Sequence, residues 1–328
     1  MKRRSLVAVV IPAYKVRAHI LDVVTSIGSE VDMIIVVDDA CPEHSGQLVI
    51  DTVTDPRVQV VVLEQNQGVG GAVMTGYRTA IDAGAEIMVK IDGDGQMDPS
   101  LVEAFVTPIA DGHADYTKGN RFYSLENIHR MPAVRIFGNA VLSFMTKLST
   151  GYWDLFDPTN GYTAIHRDAA LVLPLDKVSK RYFFETDMLF RLGLVRAKVV
   201  DVPMDAFYGT EVSNLKISKI LGEFLGKHTK NFFKRIFYNY FLRGMSIASL
   251  ELIVGLVVFV FGIAFGAYHW IWSATHQVAT PVGTVMISAL SVLCGLQLVL
   301  AFLSFDFASV PRSALHLLRR PHRPRSGD

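Results

Sequence analysis

The chain has 328 residues, room for one sizeable α/β domain plus an appendage, because single hydrophobic cores stop growing near about 250 to 300 residues. Its net charge of +1, from 32 basic and 31 acidic residues, supplies no global field for nucleic acid, so any polyanion site has to be local. The two cysteines, Cys41 beside an acidic turn and Cys294 inside an apolar run, argue against a disulfide framework and against cysteine-ligated zinc.

Lys2-Arg3-Arg4 followed by the apolar residues 6–11 imitates a signal peptide. The apolar stretch is only about six residues long and Pro12-Ala13-Tyr14 interrupts it, so a buried first strand is predicted instead. Further strand-like runs fall at residues 33–37, 58–63 and 87–91, with helical patterns between them, as at 18–27 and 71–83. Continuous Val/Ile runs alternating with helices predict a mostly parallel, doubly wound sheet from residue 6 to about 205. Ligands of such sheets bind beyond the carboxyl ends of the strands. Three of those ends carry polar groups that a core would not choose: Tyr14, Asp38-Asp39 and Asp92-Gly93-Asp94.

Beyond residue 215 apolar side chains recur at helical spacing among Lys216, Lys219, Lys227, Lys230, Lys234, Arg235 and Arg243, the pattern of helices lying in a membrane interface. Two long apolar stretches follow, at about 245–272 and 282–305, each long enough for a hydrocarbon core that needs about 20 residues. No Lys or Arg occurs between Gly244 and Pro311, and Arg312, Arg319, Arg320, Arg323 and Arg325 follow the second stretch. The positive-inside rule then predicts an integral protein of the cell membrane with two spans and with the catalytic domain and both termini cytoplasmic. Trp270 and Trp272 fit an aromatic belt at the far interface, and Glu251 lies either at headgroup depth or against a protein neighbour. The predicted division is a catalytic domain over 1–214, juxtamembrane helices over 215–243, two spans over 244–306 and a basic tail over 307–328. A two-helix hairpin buries little surface alone, so a homo-oligomer is compatible with this plan.

Asp92-Gly93-Asp94-Gly95-Gln96 stands directly after the strand at 87–91. Two carboxylates one residue apart at a strand end can hold a hard divalent cation that bridges a diphosphate. Gly93 and Gly95 allow the tight turn that makes the carboxylates converge. Asp38-Asp39 offers acceptors for a base or ribose. Asn66-Gln67-Gly68-Val69-Gly70-Gly71-Ala72 follows a strand and leads into a helix, but Val73 breaks the dinucleotide fingerprint and turns the reading from a nicotinamide site to helix packing or a donor-proximal loop.

Together with Val10-Ile11-Pro12-Ala13-Tyr14, these motifs resemble, in order and approximate spacing, glycosyltransferase family 2 in its polyprenyl-phosphate (dolichol-phosphate mannose synthase-like) branch, over residues 6 to about 215 and the two-span tail. The resemblance implies a GT-A fold, Mg²⁺ or Mn²⁺, a UDP- or GDP-sugar donor, a polyprenyl phosphate acceptor and inversion at the anomeric carbon. It places Pro12, Ala13, Tyr14, Asp38, Asp39, Gly70, Gly71, Asp92, Gly93 and Gln96 around the nucleotide sugar, with Asp92, Asp94 and Gln96 on the metal and diphosphate. Gly119-Asn120-Arg121 is similar to the family's Gly-x-Arg, and Arg121, Arg135, Asn139 and Lys216 are expected at the acceptor phosphate. Asp157 within Asp157-Pro158-Thr159-Asn160-Gly161-Tyr162 is expected beside the reacting sugar, though Asn160 stands at the usual serine and Ala164 where an arginine is frequent nearby. Glu185 and Asp187 resemble an acidic segment of the same site. Tyr208, Glu211 and Asn214 stand at the places of the mannosyl enzymes' arginine, glycine and lysine, which makes mannose a poor default for the donor.

The chemistry implied is direct displacement at the anomeric carbon, with Arg121, Asp94 and the cation at the developing diphosphate charge. A phosphate monoester, with a second pKa of about 6, is largely dianionic at neutral pH and needs no strong base. Asp157 is therefore expected to position the acceptor or to act as a weak base, whereas a sugar-hydroxyl acceptor demands a true base. Rival readings are a transferase acting on a glycan hydroxyl, a processive synthase, for which the Gln-x-x-Arg-Trp motif is lacking, and a non-catalytic membrane adaptor, against which the Asp92/Asp94 pair stands.

Overall fold

The computed structural model describes residues 4–123, 133–205 and 217–318, apart from the side chains of 133–135 and 217–221. Arg135's side chain, Lys216, Tyr208, Glu211, Asn214, the side chain of Lys219 and the arginines beyond residue 318 lie outside that description. The chain forms two compact units, one made of the chain up to Phe232 and again from Pro311, the other of Phe233–Val310.

The first unit is built on a seven-stranded sheet of order β3-β2-β1-β4-β6-β5-β7. Its strands are β1 (Val7–Ala13), β2 (Met33–Asp38), β3 (Val58–Val62), β4 (Ile87–Lys90), β5 (Tyr116–Asn120), β6 (Thr163–His166) and β7 (Val199–Pro203). β1 to β4 are mutually parallel neighbours, as the Val/Ile runs predict, whereas β6 runs antiparallel to both β4 and β5. Helices α1 (Ile20–Thr25), α2 (Ser45–Thr52), α3 (Val69–Asp82), α4 (Val102–Ala110), α5 (Ala133–Thr150), α6 (Arg167–Val172) and α7 (Phe184–Val195) accompany the strands. Val9, Ile11, Val36 and Val89 pack with Ile20, Val23, Phe105 and Ile109 in one core. Gly76 of α3 lies so close to Val10 that an added Cβ would collide with that side chain, which explains a glycine in mid-helix.

Strand direction positions the site. Ala13 pairs with Asp38 and Val10 with Lys90, so the residues after β1, β2 and β4 emerge along one edge. Because β6 is antiparallel, its start at Thr163 meets the end of β4 at Lys90, which carries the 157–162 loop to the same edge. β5, paired antiparallel with β6, ends there too and delivers Arg121.

Helix α8 (Ile217–Phe237) contains the boundary between the units. In its first half Phe224 and His228 pack on Phe183, each ring centroid at 5.2 Å, and His228 Nδ1 lies 2.9 Å from Ser149 Oγ. The tail also returns to the first unit. Helix α9 (Ile247–His276) and α10 (Val282–Ala308) belong to the second unit, and the short α11 (Leu315–Leu318) that follows them docks on Asp115. Asp115 accepts the backbone N–H groups of Leu315 and His316 at 2.6 and 2.9 Å and faces His316 Nδ1 at 2.7 Å, while His316 stacks on His166 at 4.1 Å.

In the second unit α9 and α10 are both long and apolar enough to cross a membrane. Their contact is lined by small residues: added Cβ atoms at Gly262 and Gly295 would strike the backbone of the facing helix and one at Gly255 would strike Leu298 Cβ, and Ser288 Oγ donates to the Gly262 carbonyl at 2.9 Å. Trp270 is exposed near the far end of α9. Arg235, predicted among the headgroup cations, instead forms a two-point ion pair with Asp306 at 2.6 and 3.0 Å, and Tyr240 donates its hydroxyl to Asp306 at 2.6 Å. Both partners are buried, so the carboxylate at the end of an apolar helix is matched by a guanidinium.

Candidate active site

A cleft of about 600 Å³ opens at the strand-end edge of the first unit. Pro12, Ala13, Tyr14, Asp39, Asp92, Gly93 and Asp94, all predicted from the sequence, line it together with Asn66, Gly68, Val69, Ala72, Arg181 and Tyr182. Asp38, Gly70, Gly71, Gln96, Arg121, Asn139 and Asp157 are not among the lining residues.

Asp38 is instead a structural group. Its carboxylate accepts the N–H groups of Cys41 at 2.7 Å and Gly46 at 2.6 Å, which closes the turn into α2. Asp39 faces the cleft, but its two oxygens accept the N–H groups of Gln67 at 2.6 Å and Gly68 at 2.8 Å, and Asn66 donates to its carbonyl. Asp39 thus ties the glycine-rich turn to the end of β2. That turn supports protein backbone: Gly70 N–H donates to the Lys180 carbonyl at 3.0 Å, and Cβ atoms added at Gly68 or Gly70 would collide with the carbonyls of Lys180 or Ser179. The expectation of close packing in place of a dinucleotide loop therefore describes what is found, with the partner being the segment before α7.

Asp92 and Asp94 share one wall. Asp94 accepts the Gln96 N–H at 3.0 Å, and Gly95 at φ +75° closes the turn. Asp92 sits on a buried cation that the sequence reading passed over: Lys90 Nζ lies 2.7 Å from Asp92 and 4.0 Å from Glu185. Nearby carboxylates hold Lys90 protonated against its burial. Gly161 makes room for this pair, since a Cβ there would strike Lys90 Nζ and lie 2.8 Å from Asp92. Burial pushes the Glu185 carboxyl up to about 7 despite Lys90. A charged residue inside an otherwise apolar run, just ahead of two carboxylates, was the available signal for Lys90. Asp187, the second acid of the pair, turns away and accepts the Ser179 N–H at 2.8 Å and the Arg191 guanidinium at 3.1 Å.

Among the described residues no group of three or more His, Cys, Asp and Glu side chains converges to enclose a cation. Asp92 and Asp94 offer carboxylates from one wall of the cleft only, a donor set of the kind that suits a hard divalent cation whose other ligands are water and phosphate.

Arg121 and Asp157 form the second feature of this edge. Asp157 is fully buried and accepts Arg121 Nε and Nη2 at 2.7 Å each, the Arg121 N–H at 3.2 Å and Asn160 Nδ2 at 3.3 Å. Burial opposes its charge, but the Arg121 hydrogen bonds outweigh that and hold the carboxyl below the usual range. The loop is seated by buried Lys118, whose ammonium bonds Asp201 at 2.9 Å and the carbonyls of Phe156 and Asp157. A carboxylate so engaged anchors a guanidinium and is poorly placed to receive a proton. Asn139 on α5 has a buried amide nitrogen with no hydrogen-bond partner among the described residues.

The sequence profile described as "Glycosyl transferase family 2" matches residues 8–172, just over half of the chain. A UDP-N-acetylglucosamine–dolichyl-phosphate N-acetylglucosaminyltransferase of Methanococcus voltae is 29% identical over 231 residues, covering 66% of this chain and 91% of that protein. An undecaprenyl-phosphate mannosyltransferase of Micrococcus luteus is 31% identical over 194 residues, covering 58% and 78%. Among solved structures, glucosyl-3-phosphoglycerate synthase of Mycobacterium tuberculosis with UDP superposes at TM-score 0.51 and 21% identity over 70% of this chain and 80% of that one. Mannosyl-3-phosphoglycerate synthase of Rubrobacter xylanophilus does so at 0.52 and 15%, over 74% and 77%. The sheet with its single reversed inner strand is the GT-A arrangement of these enzymes, and with its motifs matched along the profile the chain belongs to glycosyl transferase family 2.

Proposed function

We propose that the chain transfers a sugar, with inversion, from a UDP- or GDP-sugar to a polyprenyl phosphate at the cytoplasmic face of the cell membrane, using Mg²⁺ or Mn²⁺. The observation that carries this reading is the pairing of Asp92 and Asp94 in a nucleotide-sized cleft on the same sheet edge as the Asp157-anchored Arg121. The two apolar helices and the names of the Methanococcus and Micrococcus relatives support a lipid-borne acceptor.

Pro12, Ala13 and Tyr14 receive the nucleotide, and Asp39 acts by keeping the 66–68 turn against it. A divalent ion on Asp92 and Asp94 would supply positive charge at the diphosphate as the bond to the anomeric carbon breaks. Lys90 pairs with Asp92 and orients its carboxylate. Arg121, steered by Asp157, presents its guanidinium to phosphate at the acceptor side, joined by Arg135, Asn139 and Lys216. An acceptor phosphate carries its own nucleophilic oxygen, which agrees with an Asp157 that is engaged elsewhere.

The test is a donor panel offered to the purified full-length protein with polyprenyl phosphate and Mn²⁺ or Mg²⁺, scored for a lipid-extractable glycosyl product. Product should form with one donor, vanish with EDTA and vanish in D92A/D94A. Full turnover after exhaustive chelation, or transfer to a glycan hydroxyl with none to lipid phosphate, defeats the proposal.

A further inference from the structure

Arg181 is the group in the donor cleft for which neither the local motifs nor the ion-pair networks provide a reason. It sits in the segment between α6 and α7, lines the cleft beside Asp92, Asp94 and Tyr14, and is exposed there. Among the described residues its guanidinium makes no hydrogen bond or ion pair, while each neighbouring charge at this edge is engaged.

The backbone that carries it is held from several directions. Ser179 N–H donates to Asp187 at 2.8 Å, the Lys180 carbonyl accepts from Gly70, Lys180 Nζ donates to Gln67 at 3.1 Å, and the Arg181 carbonyl accepts from Phe184 N–H at 2.8 Å. The aliphatic stem lies over Gly68, where an added Cβ would come within 3.1 Å of Arg181 Cγ. Asp39 in turn holds Gly68. A chain of contacts thus runs from the end of β2 through the glycine turn to one arginine, an expensive scaffold for a merely solvated side chain.

On the reading that the cleft takes a nucleotide sugar, we infer that Arg181 is a donor-binding residue that contacts the diphosphate, and that the Gly68–Gly71 turn serves to seat it. The cleft wall formed by Asp92 and Asp94 is acidic and repels a diphosphate unless cations offset it. A guanidinium is permanently charged and presents paired donors that match phosphate oxygens. Arg181 supplies such a cation from the protein itself, so its contribution should persist when divalent ions are removed.

The experiment uses full-length protein in detergent and measures binding of UDP, UMP and uridine, and of the guanosine series, by calorimetry with Mn²⁺ and again with EDTA. R181A should weaken the diphosphate at least tenfold in both buffers, the monophosphate less, and the nucleoside not at all, with the melting temperature unchanged. R181K should recover part of the loss, and G70A, which unseats the segment, should mimic R181A without adding to it in the double variant. The KM for polyprenyl phosphate should stay within twofold in R181A. Diphosphate affinity unchanged in R181A, an equal loss for the bare nucleoside, or a rise confined to the lipid KM each overturns the assignment while leaving the transferase reading intact. A wild-type protein that binds neither nucleoside diphosphate removes that reading and this inference with it.

Discussion

Replacing Asp157 by Asn changes almost nothing in shape and removes the charge that anchors Arg121. The carboxylate accepts four hydrogen bonds, two of them at 2.7 Å from the guanidinium, and is wholly shielded from solvent. An amide offers one acceptor and turns an NH₂ toward the arginine, so at least one charge-assisted bond is lost and one donor pair opposes another. Breaking a buried ion pair from one side costs about 3–5 kcal/mol, but the Arg121 side chain keeps 26% of its exposure and recovers some hydration, so about 2–3 kcal/mol is expected. If Asp157 acts only through Arg121, a loss of that size at the transition state lowers kcat/KM by roughly 30- to 150-fold. D157N, R121A and the double variant should then share one low activity, and denaturant melts should show a matching coupling energy. The measurement belongs near pH 7.5: the folded-state carboxyl lies below its ordinary value, so its stabilisation is complete above about 4 and is lost as pH falls below that. Abolished turnover in D157N with near-normal turnover in R121A would refute the anchoring argument and make Asp157 the base.

Three further outcomes follow from groups near the site and in the second unit. Glu185 has a carboxyl raised to about 7 by burial, so its contribution to stability is present below about 4.5 and is lost as pH rises through 7. E185Q should flatten that slope in EDTA-containing buffer, by up to about 3 kcal/mol, and parallel stability curves for variant and wild type would exclude the effect. D306A strands a buried Arg235 and should destabilise the detergent-solubilised protein by about 3–5 kcal/mol, whereas R235M/D306L should come back to within about 1 kcal/mol; a neutral D306A contradicts the pairing. D115A removes the acceptor of the Leu315 and His316 N–H groups, so trypsin should cut at the exposed Arg312 at least tenfold faster, and unchanged cleavage would mean that the tail is held by other contacts.

Much of the site could be read from residues alone because parallel strands impose their own geometry. Once residues 6–11, 33–37 and 87–91 are recognised as neighbouring parallel strands, Tyr14, Asp39 and Asp92 must surface at one edge, and they do. The reversal of β6 was not legible, since four residues of Thr-Ala-Ile-His carry no direction. That reversal delivers Gly161 to Asp92 and Asp157 to Arg121. Asp38 and Asp39 look alike in sequence, yet one caps α2 and the other faces the cleft, because alternate residues of an extended chain point to opposite sides.

Composition and periodicity by themselves determined the doubly wound sheet, the acidic pair at its edge and the two apolar helices, since burial and hydrogen-bond satisfaction act on runs of residues that are contiguous in the chain. Only the tertiary structure decided which charges are spent on one another: Lys90 on Asp92, Arg121 on Asp157, Arg235 on Asp306 and Asp115 on the returning tail. Such pairs join residues as far as 201 positions apart, and a Coulomb interaction depends on distance in space and on exclusion of water, neither of which a local pattern records.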